Sequence, residues 1–343
     1  MKKDLPFELV FYDATRFAKK IPQSDYLSKG YYPILDQGKK YISGYYNDNS
    51  GLFSDVPAII FGDHTRIIKF ITSPCFIGAD GVKLLKFKTK DDPKYLYYAL
   101  QSLKIPNTGY NRHFRFLKEA KIRIWPKNIQ EEIVLILDNI KSIIEKKNRQ
   151  IENIDMIAKS RFIEMFGDPI SNSKNLETKK GEELFSFSSG KFNPSKNLTC
   201  SNPYPCYGGN GITGYSKDFI LETPTVVIGR VGAYCGSVHI TKPKSWITDN
   251  AIYLKQYNKK DYRLLFIYFL FLFFKFNRFS SASGQPKITQ KPLEQSNFIL
   301  PTIDLQDIFV NFIEQLDKSK FRIKKSLEKL EMTYKALLQE YFG

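Results

Sequence analysis

The chain has 343 residues, 42% of them hydrophobic and 15% aromatic, enough to build two cored domains with a connector and too apolar for a disordered chain. Its formal net charge of +17 is well outside ordinary globular balance and points to a polyanion, most often nucleic acid held through its phosphates. Four cysteines and three histidines without C-x-x-C or H-x-x-x-H spacing argue against a zinc centre and a disulfide framework, and a reducing cytoplasm fits.

The N-terminus, MKKDLPFELVFYD, carries basic residues but no apolar run after them of the kind a signal peptide needs. Tyr32-Pro33 then leads through a polar turn to Ser43-Gly44-Tyr45, and Pro57 to Gly62 is a short β-branched strand stopped by glycine. A second strand is expected from Val82 to Lys86, an aromatic-rich helix from Pro93 to Leu103, and a basic glycine-containing loop at Thr108-Gly109-Tyr110-Asn111-Arg112. A further strand feeds a long segment from Trp125 to Gly167.

In that segment Ile129, Ile133, Ile136, Ile140, Ile143 or Ile144, Ile151, Ile154 and Ile157 recur at threes and fours, the spacing of one helix face. Pro126 precedes the pattern and Gly167 closes it, the usual start and stop signals. A rod of ~38 residues is about 57 Å long, and one apolar stripe of that length needs a partner helix.

The remainder repeats the plan. Tyr204-Pro205 leads through Gly208-Gly209-Asn210-Gly211 to Thr213-Gly214-Tyr215, followed by a strand ending at Gly229 and another from Ala251 to Lys255. Leu264 to Phe274, LLFIYFLFLFF, is too short to span a bilayer and reads as a buried helix. The loop Ser283-Gly284-Gln285-Pro286-Lys287 precedes a second long helical segment with Leu305, Phe309, Leu316, Ile323, Leu327 and Leu330 in the same rhythm. Ile129-Gln130 matches Leu305-Gln306, Lys159 matches Lys335, and Phe166-Gly167 matches Phe342-Gly343, all at an offset of 176 residues. One unit, globular part plus rod, is written twice.

Catalytic patterns are weak. Asn202-Pro203-Tyr204 lacks the second proline of an amino-methyltransferase loop, no G-x-x-x-x-G-K-[ST] loop exists, and Glu119-Ala-Lys121 with Asp91 or Asp92 is the kind of triple that a chain rich in Lys and Glu contains by chance. The residues suited to reading DNA are Gln37, Lys39, Lys40, Tyr41, His64, Arg66, Asn111, Arg112 and Arg115 in the first half. In the second half they are Tyr207, Asn210, Arg230, Tyr234, Gln285 and Lys287. Arginine reads guanine, asparagine and glutamine read adenine, and lysine holds phosphate. Arg66 and Arg230 each follow a glycine-stopped strand at related places.

The stretches YYPILDQGKKYISGY (31 to 45), AIIFGDHTRIIKF with SPCFIGADGVKLL (58 to 85), YPCYGGNGITGY (204 to 215) and TVVIGRVGAYCGSV (225 to 238), with the twin rods ending in Phe-Gly, resemble the specificity subunit of a type I restriction-modification system over essentially the whole chain. The resemblance implies an α+β fold with two similar mixed α/β target-recognition domains at 1–124 and 168–299. Two long antiparallel helices at 125–167 and 300–343 would form a coiled-coil-like spacer, with the heads related by a pseudo-twofold axis. Each head would read one half of a split double-stranded DNA site, the two lying about one helical turn, roughly 34 Å, apart. It also implies no catalysis and no cofactor in this chain. S-adenosylmethionine, ATP and Mg would act on partner methyltransferase (modification) and restriction subunits, the former docking on the rods, in the cytoplasm and without a membrane. A nuclease with its own carboxylates and a basic coiled-coil scaffold without DNA specificity are the competing readings.

Overall fold

The computed structural model describes residues 2–109, 111–280 and 286–343. It contains two compact units, Met1–Asn148 with Lys324–Gly343, and Arg149–Ile323. Each includes a mixed globular part and a portion of both long helices, Lys127–Phe166 and Ile303–Phe342, which are 40 residues each and hence about 60 Å long. Gly167, at φ +73, ends the first of them in the left-handed backbone that glycine adopts without strain. Among the described residues no helix is long and apolar enough to cross a membrane.

In the first unit Phe11–Asp13, Val82–Phe87, Ala58–Gly62 and Ile68–Ile71 lie in that order in one antiparallel sheet. A second sheet orders Lys20–Ile21, Phe76–Gly78, Tyr32–Leu35 and Gly44–Tyr46, the first three parallel. The second unit repeats the larger sheet as Phe185–Ser189, Ala251–Tyr257, Val226–Gly229 and Val238–Ile240. Its smaller sheet runs Gly211–Ser216, Tyr204–Gly208, Trp246–Ile247, the last pair parallel. The strand that feeds each long helix, Lys121–Ile124 or Asn297–Ile299, pairs with the first strand of its own globular part, Lys3–Pro6 or Thr178–Lys180. The expected duplication is therefore a duplication of topology as well as of residues.

The Ser-Gly-Tyr and Thr-Gly-Tyr motifs now have a cause. A Cβ on Gly44 would lie 2.8 Å from the Cβ of Tyr26, and one on Gly214 would lie 2.9 Å from the Cβ of Leu198. In each unit a Pro-led 3-10 turn, Gln23–Asp25 or Ser195–Asn197, delivers that side chain against the hairpin, and only glycine lets it approach.

The paired glutamines anchor each long helix to its globular part. Gln130 Nε2 donates to Asp91 Oδ1 and to the Trp125 carbonyl, both at 2.7 Å, while its Oε1 accepts from the Asp92 amide at 3.0 Å. Gln306 Nε2 donates to the carbonyls of Asp261 and Pro301 at 2.8 and 2.9 Å and accepts from the Arg263 amide at 3.0 Å. Asp92 and Arg263 are the N-caps of the aromatic-rich helices Pro93–Ser102 and Leu264–Phe274, so each glutamine ties the start of one helix to the start of another.

Within the second unit Asp155 pairs with Lys320, Arg161 lies over Phe312 at 5.6 Å, and Phe162 and Phe166 pack on Phe309, so rising numbers meet falling ones and the helices run antiparallel. Phe162 is fully buried and stacks on Phe273 at 4.8 Å and Phe266 at 5.7 Å. The first unit is antiparallel too, with Trp125 Nε1 donating to the Tyr341 carbonyl at 2.9 Å and Leu338 packed in one core with Ile133 and Leu137. Its inter-helix contacts are more polar. Tyr98 donates to Asp138, Tyr334 donates to Gln101 at 2.8 Å, and Lys94 pairs with Asp138 at 2.7 Å.

Candidate nucleic-acid interface

In the second unit the strand Val226–Gly229 stops where three backbone segments converge. A Cβ on Gly229 would collide with the carbonyl oxygens of Tyr234 and Gly209, so the close approach itself demands glycine. The Arg230 amide donates to the Asn250 carbonyl at 2.9 Å, the Ile288 amide donates to the Arg230 carbonyl at 2.9 Å, and the Gly232 amide donates to the Pro286 carbonyl at 3.0 Å. Ser237 Oγ donates to the Tyr234 carbonyl at 2.7 Å and also reaches the Gly209 carbonyl. These bonds gather Asn210, Arg230, Tyr234 and Lys287 at one end of the sheet. Asn210 and Lys287 are exposed and Tyr234 is 54% exposed on its 3-10 turn, Gly232–Tyr234.

Among the described residues the Arg230 guanidinium has only two long contacts, at 3.4 Å to Ser189 Oγ and 3.4 Å to the Asp249 carbonyl, and no carboxylate pairs with it. A cation held this loosely retains donors for an incoming phosphate or guanine edge. Gln285 lies outside the described residues. Tyr207 does not join the group. It is 4% exposed, packed with Val227, Ile247 and Ala251, and its hydroxyl accepts from the Lys242 amide at 3.0 Å. Burial pushes its pKa up, as expected of a core tyrosine, and its expected role in DNA contact is corrected accordingly.

The first unit builds the same end with other side chains. The Asp63 amide donates to the Gly81 carbonyl at 2.7 Å and the His113 amide donates to the Asp63 carbonyl at 2.9 Å, the bonds that Arg230 makes in the second unit. The counterpart of Arg230 is therefore Asp63, not Arg66. Asp63 is 5% exposed and spends its carboxylate on the Phe114 amide at 2.7 Å, which starts the helix Phe114–Lys118. Arg66 sits three residues further on, at φ +62, with its guanidinium donating to the Ile105 carbonyl at 3.2 Å.

Gln37 and His64 meet through a 3.2 Å bond from the His64 amide to Gln37 Oε1, and both lie against Gly81. Asn111 is exposed with its amide donating to the Thr108 carbonyl, Arg112 is exposed, and the Arg115 guanidinium lies 4.8 Å over the Phe116 ring. Tyr110 lies outside the described residues. His113, from the same run, is fully buried, with Nδ1 against the Asp63 carbonyl at 2.8 Å and Nε2 accepting from the Thr108 amide, so it holds the loop and offers nothing to a ligand.

Lys39, Lys40 and Tyr41 form a neighbouring exposed turn. Buried Lys69 supports it from below, donating to the carbonyls of Lys40 at 2.5 Å and Tyr41 at 3.3 Å and lying 3.7 Å from Asp36. Sequence reading missed Lys69 because its charge looks like surface; only its place in the strand Ile68–Ile71, with apolar neighbours, marked it. The acidic residues weighed for cleavage are engaged elsewhere: Asp92 caps the helix Pro93–Ser102 through the amides of Lys94 and Tyr95, and Asp91 accepts from Gln130.

His239 borders Gly211 in the second unit, and its Nε2 is buried without a hydrogen-bond partner among the described residues. Burial lowers its pKa from the ordinary 6.5. The unfolded chain therefore takes up this proton first, so the stability that neutral His239 provides is present above about pH 6.5 and is lost as pH falls through that value toward the lower folded pKa. Urea unfolding followed by Trp246 emission is expected to show a falling midpoint from about pH 7 to about pH 5, and His239→Gln should flatten that slope.

A family model described as "Type I restriction modification DNA specificity domain" matches residues 14–154 and 173–332. The "Type I restriction enzyme EcoprrI specificity subunit" of Escherichia coli is 25% identical over 197 residues, 55% of this chain, and the match spans about half, 48%, of that relative's length. The crystal structure of a type I restriction-modification S subunit from M. genitalium superposes with a TM-score of 0.64 at 20% identity, covering 100% of this chain and 96% of that one. A chain from a structural study of complex assembly and conformational transition of the type I R-M system gives a TM-score of 0.57 at 14% identity, over 99% of this chain and 97% of that one.

Proposed function

Because the chain belongs to the type I restriction-modification DNA specificity family, we propose that it is a non-catalytic specificity subunit whose two globular parts each read one half of a bipartite double-stranded DNA site. The observation that carries this reading is the loop cluster built twice on one backbone scheme and furnished with different side chains. Arg230, Asn210, Tyr234 and Lys287 stand in one unit, and Gln37, His64, Arg66, Arg112 and Arg115 in the other. Two like scaffolds with unlike tips are suited to a split, non-palindromic target. The net charge of +17 supports a large phosphate contribution to affinity.

Modification subunits are proposed to dock on the long helices, where large apolar side chains stay uncovered. Leu135, Ile143 and Met332 are 63%, 42% and 70% exposed in the first unit, and Met156, Ile308 and Phe321 are 57%, 54% and 68% exposed in the second. S-adenosylmethionine, ATP and Mg belong to the partner subunits in this proposal, as does cleavage to the restriction subunit, and a cytoplasmic location goes with it.

Selection from random duplex DNA, run with the modification subunit present, is the test. Two separated motifs are expected, and Arg230→Ala should relax only one of them, at about 1–3 kcal/mol per lost base contact. Arg66→Ala should relax only the other. A single continuous motif, or equal losses at both halves from either variant, contradicts the proposal.

A further inference from the structure

The two smaller sheets share a framework but differ in what fills it. In the first unit Ile34 pairs with Phe76 in the parallel register, and Ile21, just before Pro22 and its 3-10 turn, completes a closed apolar cluster in which all three side chains are buried. In the second unit the same places hold Cys206, Trp246 and Asn193, with Asn193 just before Pro194 and its turn. There the cluster has opened into a recess of about 500 Å³, lined by residues that include Phe192, Asn193, Asn202 and Trp246, with two cations, Lys196 and Lys217, and one carboxylate, Asp218, at its exposed edge.

The lining is chemically coherent. The indole Nε1 of Trp246 donates to the Lys191 carbonyl at 2.9 Å, which fixes the ring as one wall, and Phe192 is 71% exposed as another. Asn202 spends its amide nitrogen on the carbonyls of Asn197 and Tyr215, both at 3.0 Å, and Asn193 spends its own on Ser216 Oγ at 3.2 Å. Each keeps its side-chain carbonyl oxygen as an acceptor. Lys196 and Lys217 are exposed at the rim and make no ion pair among the described residues. Aromatic faces, amide acceptors and two free ammonium groups match, in order, the ring, the amino edge and the phosphate of a nucleotide.

We propose that this recess binds a single unpaired nucleotide, its base against Trp246 and Phe192 and its phosphate at Lys196 and Lys217. A paired base has its faces stacked and its edge occupied, so the occupant is either a free mononucleotide or an unstacked nucleotide of a strand. The site is independent of the loop cluster around Arg230 and does not rest on the proposed function.

The chain has two tryptophans, so in a Trp125→Phe background of the full-length protein emission comes from Trp246 alone. Titration with adenosine and cytidine monophosphates, a short single-stranded oligonucleotide and inorganic phosphate is expected to give saturable quenching with the oligonucleotide, with the mononucleotides, or with both. Quenching by mononucleotides identifies a free ligand, and quenching by the oligonucleotide alone identifies a strand. Asn193→Ile, which restores the residue of the first unit, should abolish the response, and Lys196→Ala with Lys217→Ala should weaken it about tenfold, while circular dichroism and duplex binding stay unchanged. No quenching by any nucleotide, or equal quenching by inorganic phosphate, overturns the proposal.

Discussion

Gln306→Met is expected to destabilise the Arg149–Ile323 unit by about 3 kcal/mol, because it orphans one buried and two part-buried backbone groups at once. Gln306 is fully buried, and the carbonyls of Asp261 and Pro301 and the amide of Arg263 have it as their partner at the joint between the long helix and the helix Leu264–Phe274. Methionine keeps the length and the apolar stem, so lost hydrogen bonding accounts for the effect. Gln130→Glu offers a contrast in the other unit. It keeps the acceptor for the Asp92 amide but sets a carboxylate against Asp91 Oδ1, so the loss should shrink as pH falls and the pair becomes protonated. Urea unfolding followed at Trp246 for the first variant and at Trp125 for the second reads each unit separately; a Gln306→Met midpoint within error of the parent would show that the joint carries no net stability.

Phe162→Ala should cost about 3–5 kcal/mol, the range for removing a fully buried aromatic side chain. Its ring touches both long helices and the helix Leu264–Phe274, stacking on Phe273 and Phe266 and meeting Phe309 edge-on at 5.6 Å. Phe162→Leu retains most of the apolar volume and should cost less than half as much. The repeat supplies a control, since the matching position of the other long helix is Leu338, 9% exposed in a cluster with Ile133 and Leu137. Leu338→Ala should cost about 2–4 kcal/mol in the first unit. Similar losses for Phe162→Ala and Phe162→Leu would mean that aromatic stacking geometry, not buried area, holds this junction.

The helices, strands and hairpins were legible because their periodicity and punctuation are local. Leu264–Phe274 emerges with the bounds expected of an 11-residue apolar run set between Arg263 and Lys275. The first long helix runs between its expected Pro126 and Gly167 signals, the second ends at the matching Phe342, and a strand feeds each of them. The loop side chains were legible only as types. Tyr207 looked like a reader because it precedes a glycine-rich turn, yet its ring packs with Val227, Ile247 and Ala251; buried His113, in the run that carries Asn111, Arg112 and Arg115, has both ring nitrogens on the loop's own backbone.

Residue order alone carried the duplication, the pairing of twin one-striped helices with each other, and the family resemblance that implied their antiparallel direction, because each rests on patterns that recur along the chain at short range or at one fixed offset. Tertiary structure was needed to learn that Asp63 occupies the place of Arg230, that Gln130 and Gln306 join helix to helix, and that an apolar cluster in one unit is an open recess in the other. Those facts depend on which backbone groups meet across distant strands, and the free energy that selects such meetings is a property of the packed whole, which no stretch of sequence expresses by itself.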